Sequence, residues 1–314
     1  MDAQPRPPTT VVVGIDGSEH SLRALDGAVA EAALRHVPLE LVCGWPWTHS
    51  PAPHETLFGP RGTSPEDGGT GHPDPADPGS HPLYRQAEET LRQVTDQVRR
   101  EHPEVEVRST MSTEPAADAL LRHGAPDRLT VLGTRGRGGF VGLLLGSVSL
   151  RVAAHNPGPL LVVRGERRTA PAGELLYGVD DRPEPGGPRR AFEEARLRGA
   201  RLRVVHAWQY PTYPSMVPPP TAWVQDESER IAQAADQVAR EVVASCRPDF
   251  PEVEAVAETV YGQPGHALVE ASRHADLVLL TVRRRHRRLA LQLGPVTHAL
   301  LHHADCPVLL VPVG

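Results

Sequence analysis

The chain repeats itself at a distance, and that duplication limits its fold more than any other feature. The stretch VVVGIDGS, Val11 to Ser18, returns as LLYGVDDR, Leu175 to Arg182. LELVCGW, Leu39 to Trp45, returns as LRVVHAW, Leu202 to Trp208, and the closing PLLVV, Pro159 to Val163, returns as PVLLV, Pro307 to Val311. Because the order is kept, a whole unit has been copied rather than one motif. Each copy reads as strand, helix, strand, variable insert, helix, strand, helix, strand, glycine- or arginine-rich loop, helix, strand. Short apolar strands alternating with helical patterns predict a parallel sheet covered by helices on both faces. A length of 314 residues suits two units of about 150, each large enough to bury a core. The expected fold class is α/β, with two tandem domains, 1–168 and 169–314, each a parallel sheet flanked by helices. The polar linker GERRTAPAG, Gly165 to Gly173, joins them and is broken by Pro171.

Composition removes several classes of function. The 33 basic residues, all arginine, are outnumbered by 39 acidic ones for a net charge of -6, which argues against a nucleic-acid binder relying on a broad basic surface. Three scattered cysteines, Cys43, Cys246 and Cys306, fit neither a disulfide framework nor a zinc site and suit a reducing cytoplasm. The opening MDAQPRPPTT lacks the basic-then-apolar pattern of an export signal, and no apolar run approaches the roughly 18 residues that cross a bilayer. The expectation is a cytoplasmic protein that does not enter membranes. A stretch near 46–82, containing SPEDGGTGHPDPADPGSHP, is too rich in Pro, Gly, Asp and Ser to bury apolar area and is expected to be disordered. His49, His54, His72 and His81 lie in or beside it, where a metal would find no fixed geometry; solvated loop histidines are the simpler reading.

The segment VLGTRGRGGFVGLLLGSVS, Val131 to Ser149, carries six glycines and two arginines. It follows an apolar strand, Leu129 to Leu132, and precedes a helical pattern, Val148 to Asn156, stopped by Pro157. Ligands in open parallel sheets bind at such carboxyl-terminal strand ends. Helix-start amides backed by the helix dipole attract anions, glycines admit close backbone approach, and Arg135 and Arg137 add charge. Ser147 stands at the expected N-cap. Walker A chemistry needs a lysine that the chain lacks, and the dinucleotide fingerprint started by Gly136 and Gly138 fails at Val141.

Gly133, Gly136, Gly146 and Ser147 follow the spacing G-x2-G-x9-G-S. With VVVGIDGSEHSLRAL and the closing PLLVVR, this loop resembles the nucleotide loop of the universal stress protein family. The resemblance runs over nearly the whole chain, twice. It implies two Rossmann-like domains of the flavodoxin-like, HUP type, each with a five-stranded sheet, and a stress-response module that binds ATP, with Mg²⁺ as a companion ion that Asp16 would help to hold. Carried over, Ile15, Asp16, Val42, Leu132, Gly133, Arg135, Gly136, Gly146, Ser147, Val148 and Ser149 form the ATP site. Asp16 addresses the ribose, the Val42 backbone the adenine, Gly133 the ribose side, and Gly136 with Gly146 to Ser149 the phosphates. Read without the resemblance, Asp16 is a helix cap, Val42 a buried strand residue and Ser149 a helix-surface hydroxyl.

The second copy acts as an internal control. Thr281, Arg284, Gly294 and Pro295 stand where the first has Gly133, Gly136, Gly146 and Ser147. Proline offers no amide hydrogen, and an arginine side chain obstructs close approach. One ATP is therefore expected in the first copy and none, or weak binding, in the second, with Asp180 a relic. The arginine run Arg283 to Arg288 reads as a solvated loop or protein contact, and His302-His303 as a complement to a helix dipole. Between Leu129 and Gly158 there is no Asp or Glu, so the loop has no carboxylate base and binding is favoured over turnover. No catalytic residue is assigned. The alternatives are a slow ATP hydrolase or autophosphorylating protein, and an interaction module without nucleotide. The family's habit of pairing through last strands implies that Leu160 to Val163 and Val308 to Val311 join the copies as an internal pseudo-dimer; pairing of whole chains and an unknown regulatory partner are left open.

Overall fold

The computed structural model describes residues 7–45, 81–136, 145–165, 171–184, 186–209, 221–283 and 293–313. Strand β1 (Thr10–Gly14) is a run of valines with no exposed surface, the pattern of a strand covered on both faces. Helix α1 (Glu19–Arg35) follows, begun by Ser18, whose side chain accepts the Ser21 amide. Then come β2 (Leu39–Gly44), α2 (Pro82–Glu101), β3 (Val107–Ser112), α3 (Ala116–His123), β4 (Arg128–Gly133), α4 (Ser147–His155) and β5 (Leu160–Val163). The second half repeats the order as β6 (Glu174–Val179), α5 (Gly187–Arg198), β7 (Arg201–Trp208), α6 (Thr221–Cys246), β8 (Ala255–Tyr261), α7 (Pro264–Ser272), β9 (Leu277–Arg283), α8 (Pro295–His303) and β10 (Val308–Val313).

The strands of the described residues join one ten-stranded sheet, ordered β3-β2-β1-β4-β5-β10-β9-β6-β7-β8. Within each half every neighbour is parallel, whereas β5 and β10 run antiparallel, with Leu160, Leu161 and Val162 opposite Leu310, Leu309 and Val308. The two closing strands thus meet, and each shields an apolar edge of the other from solvent. One core cluster packs beneath α1, α2, α5 and α6 and contains Val13, Leu41, Phe192 and Phe250. The other lies on the opposite face and contains Leu120, Val152, Leu268 and Leu300.

Arg164, just past β5, strengthens the join by donating to the carbonyls of Leu301, His302 (2.7 Å) and Ala304 at the end of α8. Pro312 occupies the duplicated position and cannot return the contact. Most of the proline-rich insert lies outside the described residues, His49, His54 and His72 included. Its last two residues depart from the expected loop: His81 accepts the Leu83 amide at 3.2 Å as N-cap of α2, and Pro82 starts that helix.

Candidate functional site

The ends of β1 and β4 lie side by side, since those strands pair directly, and the sequence of each explains what it presents. Beyond Gly14, the Ile15 amide donates to the Val42 carbonyl at 2.9 Å, extending the ladder by one bond. That carbonyl keeps one lone pair for a further donor. Asp16 is then where the chain turns: its Oδ1 accepts the Ser18 amide at 2.9 Å, and its own amide faces Ser21 Oγ at 3.4 Å. Ser18 in turn caps α1, its Oγ accepting the Ser21 amide at 3.2 Å. The aspartate is pinned by the helix start it helps to build.

β4 delivers Gly133 against α1, so closely that a Cβ there would strike the His20 carbonyl. At Gly136 a Cβ would strike Asp16 Oδ2. Both positions admit only glycine without movement, which accounts for two of the spaced glycines by close approach. The neck of the loop is tied twice. The Gly146 amide donates to the Thr134 carbonyl at 2.7 Å, and Ser149 Oγ donates to the Gly133 carbonyl at 2.8 Å. Residues 137–144, with Arg137, Gly138 and Val141, lie outside the described residues.

Helix α4 rises from this neck. Its N-cap is Gly146, extended at φ -77° and ψ 157°, with no side-chain cap. Ser147, expected at the N-cap, is instead the first helical residue, because the Gly146 carbonyl already closes the first turn by accepting the Leu150 amide at 3.0 Å. A glycine cap leaves the amides of Ser147, Val148 and Ser149 without an acceptor inside the helix. They lie at the helix's positive end, and no acidic residue sits in the first turn to compete for them. Ser149 is buried with its hydroxyl committed to Gly133, so what it offers a ligand is its backbone.

Arg135 is half-buried beside this neck, and its Nε has no hydrogen-bond partner among the described residues. Burial, followed by the charges of Arg23 and Arg135, holds the nearby His20 imidazole below its usual pKa. Arg23 donates to His20 Nδ1 at 2.5 Å. Ile15, Val42 and Leu132 are buried near these strand ends, Ile15 in the core cluster beneath α1 and Val42 and Leu132 in the cluster on the opposite face of the sheet. Asp16, Gly133, Arg135, Gly136 and the start of α4 are thus gathered into a backbone-lined corner with a cationic side.

The second half keeps the frame and changes the fittings. Asp180 Oδ1 accepts the Arg182 amide at 3.2 Å, repeating the Asp16 turn. Thr281, however, brings a side chain against the start of α5, where a Cβ on Gly187 would meet Thr281 Cγ2 at 2.6 Å. α8 begins with Pro295 after Gly294, so its first position has no amide hydrogen. Arg284 and the rest of the arginine run fall outside the described residues.

One feature of this half escapes the sequence pattern. His206, at Cys43's duplicated position, is buried, with Nδ1 against the Ala235 carbonyl at 2.8 Å and Nε2 against Asp181 Oδ1 at 3.0 Å. The only sequence signal is the exchange of Cys for His between copies. Among the described residues no group of three or more His, Cys, Asp or Glu is placed to hold a metal, and no helix is long and apolar enough to cross a membrane. His302 and His303 end α8, with the His298 and His302 rings stacked 4.5 Å apart.

Comparison with known proteins identifies the family. The profile of the universal stress protein family matches residues 8–164 and again 174–312. A universal stress protein of Mycolicibacterium smegmatis is 27% identical over 313 residues, spanning 96% of each chain. One from Mycobacterium tuberculosis is 27% identical over 328 residues, spanning 96% of this chain and 95% of its own. Among solved structures, a universal stress protein from Archaeoglobus fulgidus covers 98% of this chain and 99% of its own, with a TM-score of 0.62 at 16% identity.

Proposed function

We infer that this chain, which belongs to the universal stress protein family, binds one ATP in its amino-terminal half and serves as a nucleotide-dependent stress-response module. The observation that carries the reading is the contrast between two copies of one frame. In the first, Gly136 abuts Asp16 and α4 opens with three amides that have no acceptor inside the helix. In the second, an arginine stands in place of Gly136, a threonine in place of Gly133, and the equally glycine-capped α8 opens on a proline where α4 has Ser147.

In this reading the Ser147, Val148 and Ser149 amides hold phosphate oxygens, Gly133 and Gly136 let α1 and Asp16 close against the loop so that its backbone is held beside the ligand, and Asp16 Oδ2 accepts from the ribose. Arg135 balances the triphosphate charge, and the adenine amino group donates to the remaining lone pair of the Val42 carbonyl, at the strand ends that Ile15 and Leu132 mark. Where Mg²⁺ accompanies the nucleotide, phosphate oxygens and waters would carry it and Asp16 would be the residue to help hold it. Micromolar affinity takes about 8 kcal/mol, and each hydrogen bond to a charged group supplies roughly 1.5–3, so the second half's losses are enough to empty it. With no carboxylate from Leu129 to Gly158, the loop holds its ligand and lacks a base to activate water.

Calorimetric titration with ATP tests this. The intact chain should bind close to one equivalent, and Gly136→Ala, whose Cβ pushes the Asp16 carboxylate aside, should bind at least about tenfold more weakly while melting as a folded protein. Two equivalents, or an unaffected Gly136→Ala, would refute the assignment. Release of ADP over repeated turnovers would favour the hydrolase reading instead.

A further inference from the structure

Among the described residues, the most heavily buried ion pairs lie away from that corner, where α1 meets α5 across the two halves. α1 ends in Glu31-Ala-Ala-Leu-Arg35 and α5 in Glu194-Ala-Arg-Leu-Arg198, the same Glu-x3-Arg at the same place in the duplicated unit. Each pair closes on its own helix, Arg35 Nε reaching Glu31 Oε2 at 3.0 Å and Arg198 reaching Glu194. Each also crosses between halves. Arg35 Nη2 meets Glu194 Oε2 at 2.7 Å, and Arg198 Nη2 meets Glu31 Oε1. The four charges form a closed ring of alternating sign. The Glu194, Arg35, Glu31 and Arg198 side chains are 1%, 6%, 11% and 16% exposed. Arg190 joins from the second half alone, 3.3 Å from Glu194 and 3.4 Å from Glu193.

Removing four charges from water is costly, and apolar residues of similar size often stabilise such a position as well or better. What apolar residues lack is selectivity. An alternating ring rejects any partner helix whose charges are reversed, since both cross contacts then become like against like. We propose that this ring is the recognition surface by which each half selects its partner: it accepts a helix presenting Glu-x3-Arg about a twofold axis, and here that helix is the chain's own α5. The pattern is self-complementary. α1 of a second copy would satisfy it equally, and the chain closes on itself because α5 is tethered nearby. The inference is independent of whether nucleotide is bound.

Charge reversal in the full chain tests it. Glu31→Arg with Arg35→Glu keeps the pair within α1 but makes both crossings repulsive. Thermal melting should fall by roughly 10 °C or more. The particle mass in sedimentation should rise in multiples of the wild-type value, because two reversed α1 helices complement each other across chains. Reversing α5 alone, by Glu194→Arg and Arg198→Glu with Arg190→Gln to spare a new like-charge contact, should do the same. Combining both reversals restores every edge and should recover at least half of the lost melting temperature, together with the wild-type mass. Single reversals that change neither midpoint nor mass would overturn the proposal. So would a combined variant no better than the sum of its parts, whether or not the single reversals fold.

Discussion

Ser149 shows how a residue chosen for one reason can serve another. Its spacing in the loop marks it as a phosphate contact, yet its hydroxyl is spent on the Gly133 carbonyl, fastening helix to strand at the neck. Ser149→Ala removes that donor from a buried acceptor and should cost about 1–3 kcal/mol, read as a lower urea midpoint with an unchanged slope. ATP binding by the folded variant should weaken less than it does in Gly136→Ala, since the amide remains. Asp16, Gly133 and Gly136 were legible in the sequence because a turn aspartate and close-approach glycines leave fixed spacings. The cap at Gly146 in place of Ser147 was not, since a cap is settled by φ, ψ and one backbone bond rather than by residue type alone. Nor was the His206 contact with Asp181, which depends on how far a loop after β6 leans toward β7.

For the elements, the second half suggests its own experiment. Proline is tolerated at the first position of a helix, where no intrahelical bond is lost, and α8 begins that way at Pro295. Ser147→Pro in α4 should therefore leave the melting temperature within a degree or two of wild type, yet weaken ATP binding about tenfold or more by deleting one anion-facing amide. Equal affinity in a calorimetric titration would show that the first amide of α4 touches no phosphate. Strands and helices were readable throughout, because runs such as Val11 to Val13 and Leu175 to Tyr177 can only be buried strands in a repeating α/β pattern. Lengths were less so. α5, behind the proline- and glycine-rich Arg182 to Gly186, has 12 residues against the 17 of α1, and it accommodates Pro188 in its first turn, where proline costs no intrahelical bond.

At the scale of the whole molecule the halves are held by the β5–β10 seam, by Arg164 and by the ion ring, and the ring carries an acid sensitivity. Burial pushes the Glu194 carboxyl up, but Arg198, Arg35 and Arg190 together overcome it and hold the group at about 2, below its ordinary 4.5. A lowered folded-state value means the stabilisation is complete above the unfolded value and fades as pH falls through the folded one. The contribution of about 3 kcal/mol should therefore be intact above about pH 5 and drain away toward pH 2. In denaturant titrations across that range, the gap between wild type and Glu194→Gln should narrow with acid; a constant gap would contradict the assignment. The ring was invisible in the sequence because its members are 159 and 167 positions apart and meet only once the twofold relation of the copies is known. That relation has one more outcome. Since the sheet reverses direction only at the β5–β10 seam, the carboxyl-terminal strand ends of the two halves open on opposite rims. A visitor approaching the Asp16 rim therefore meets nothing of the Asp180 rim, and the two ends could drift apart in character without obstructing each other.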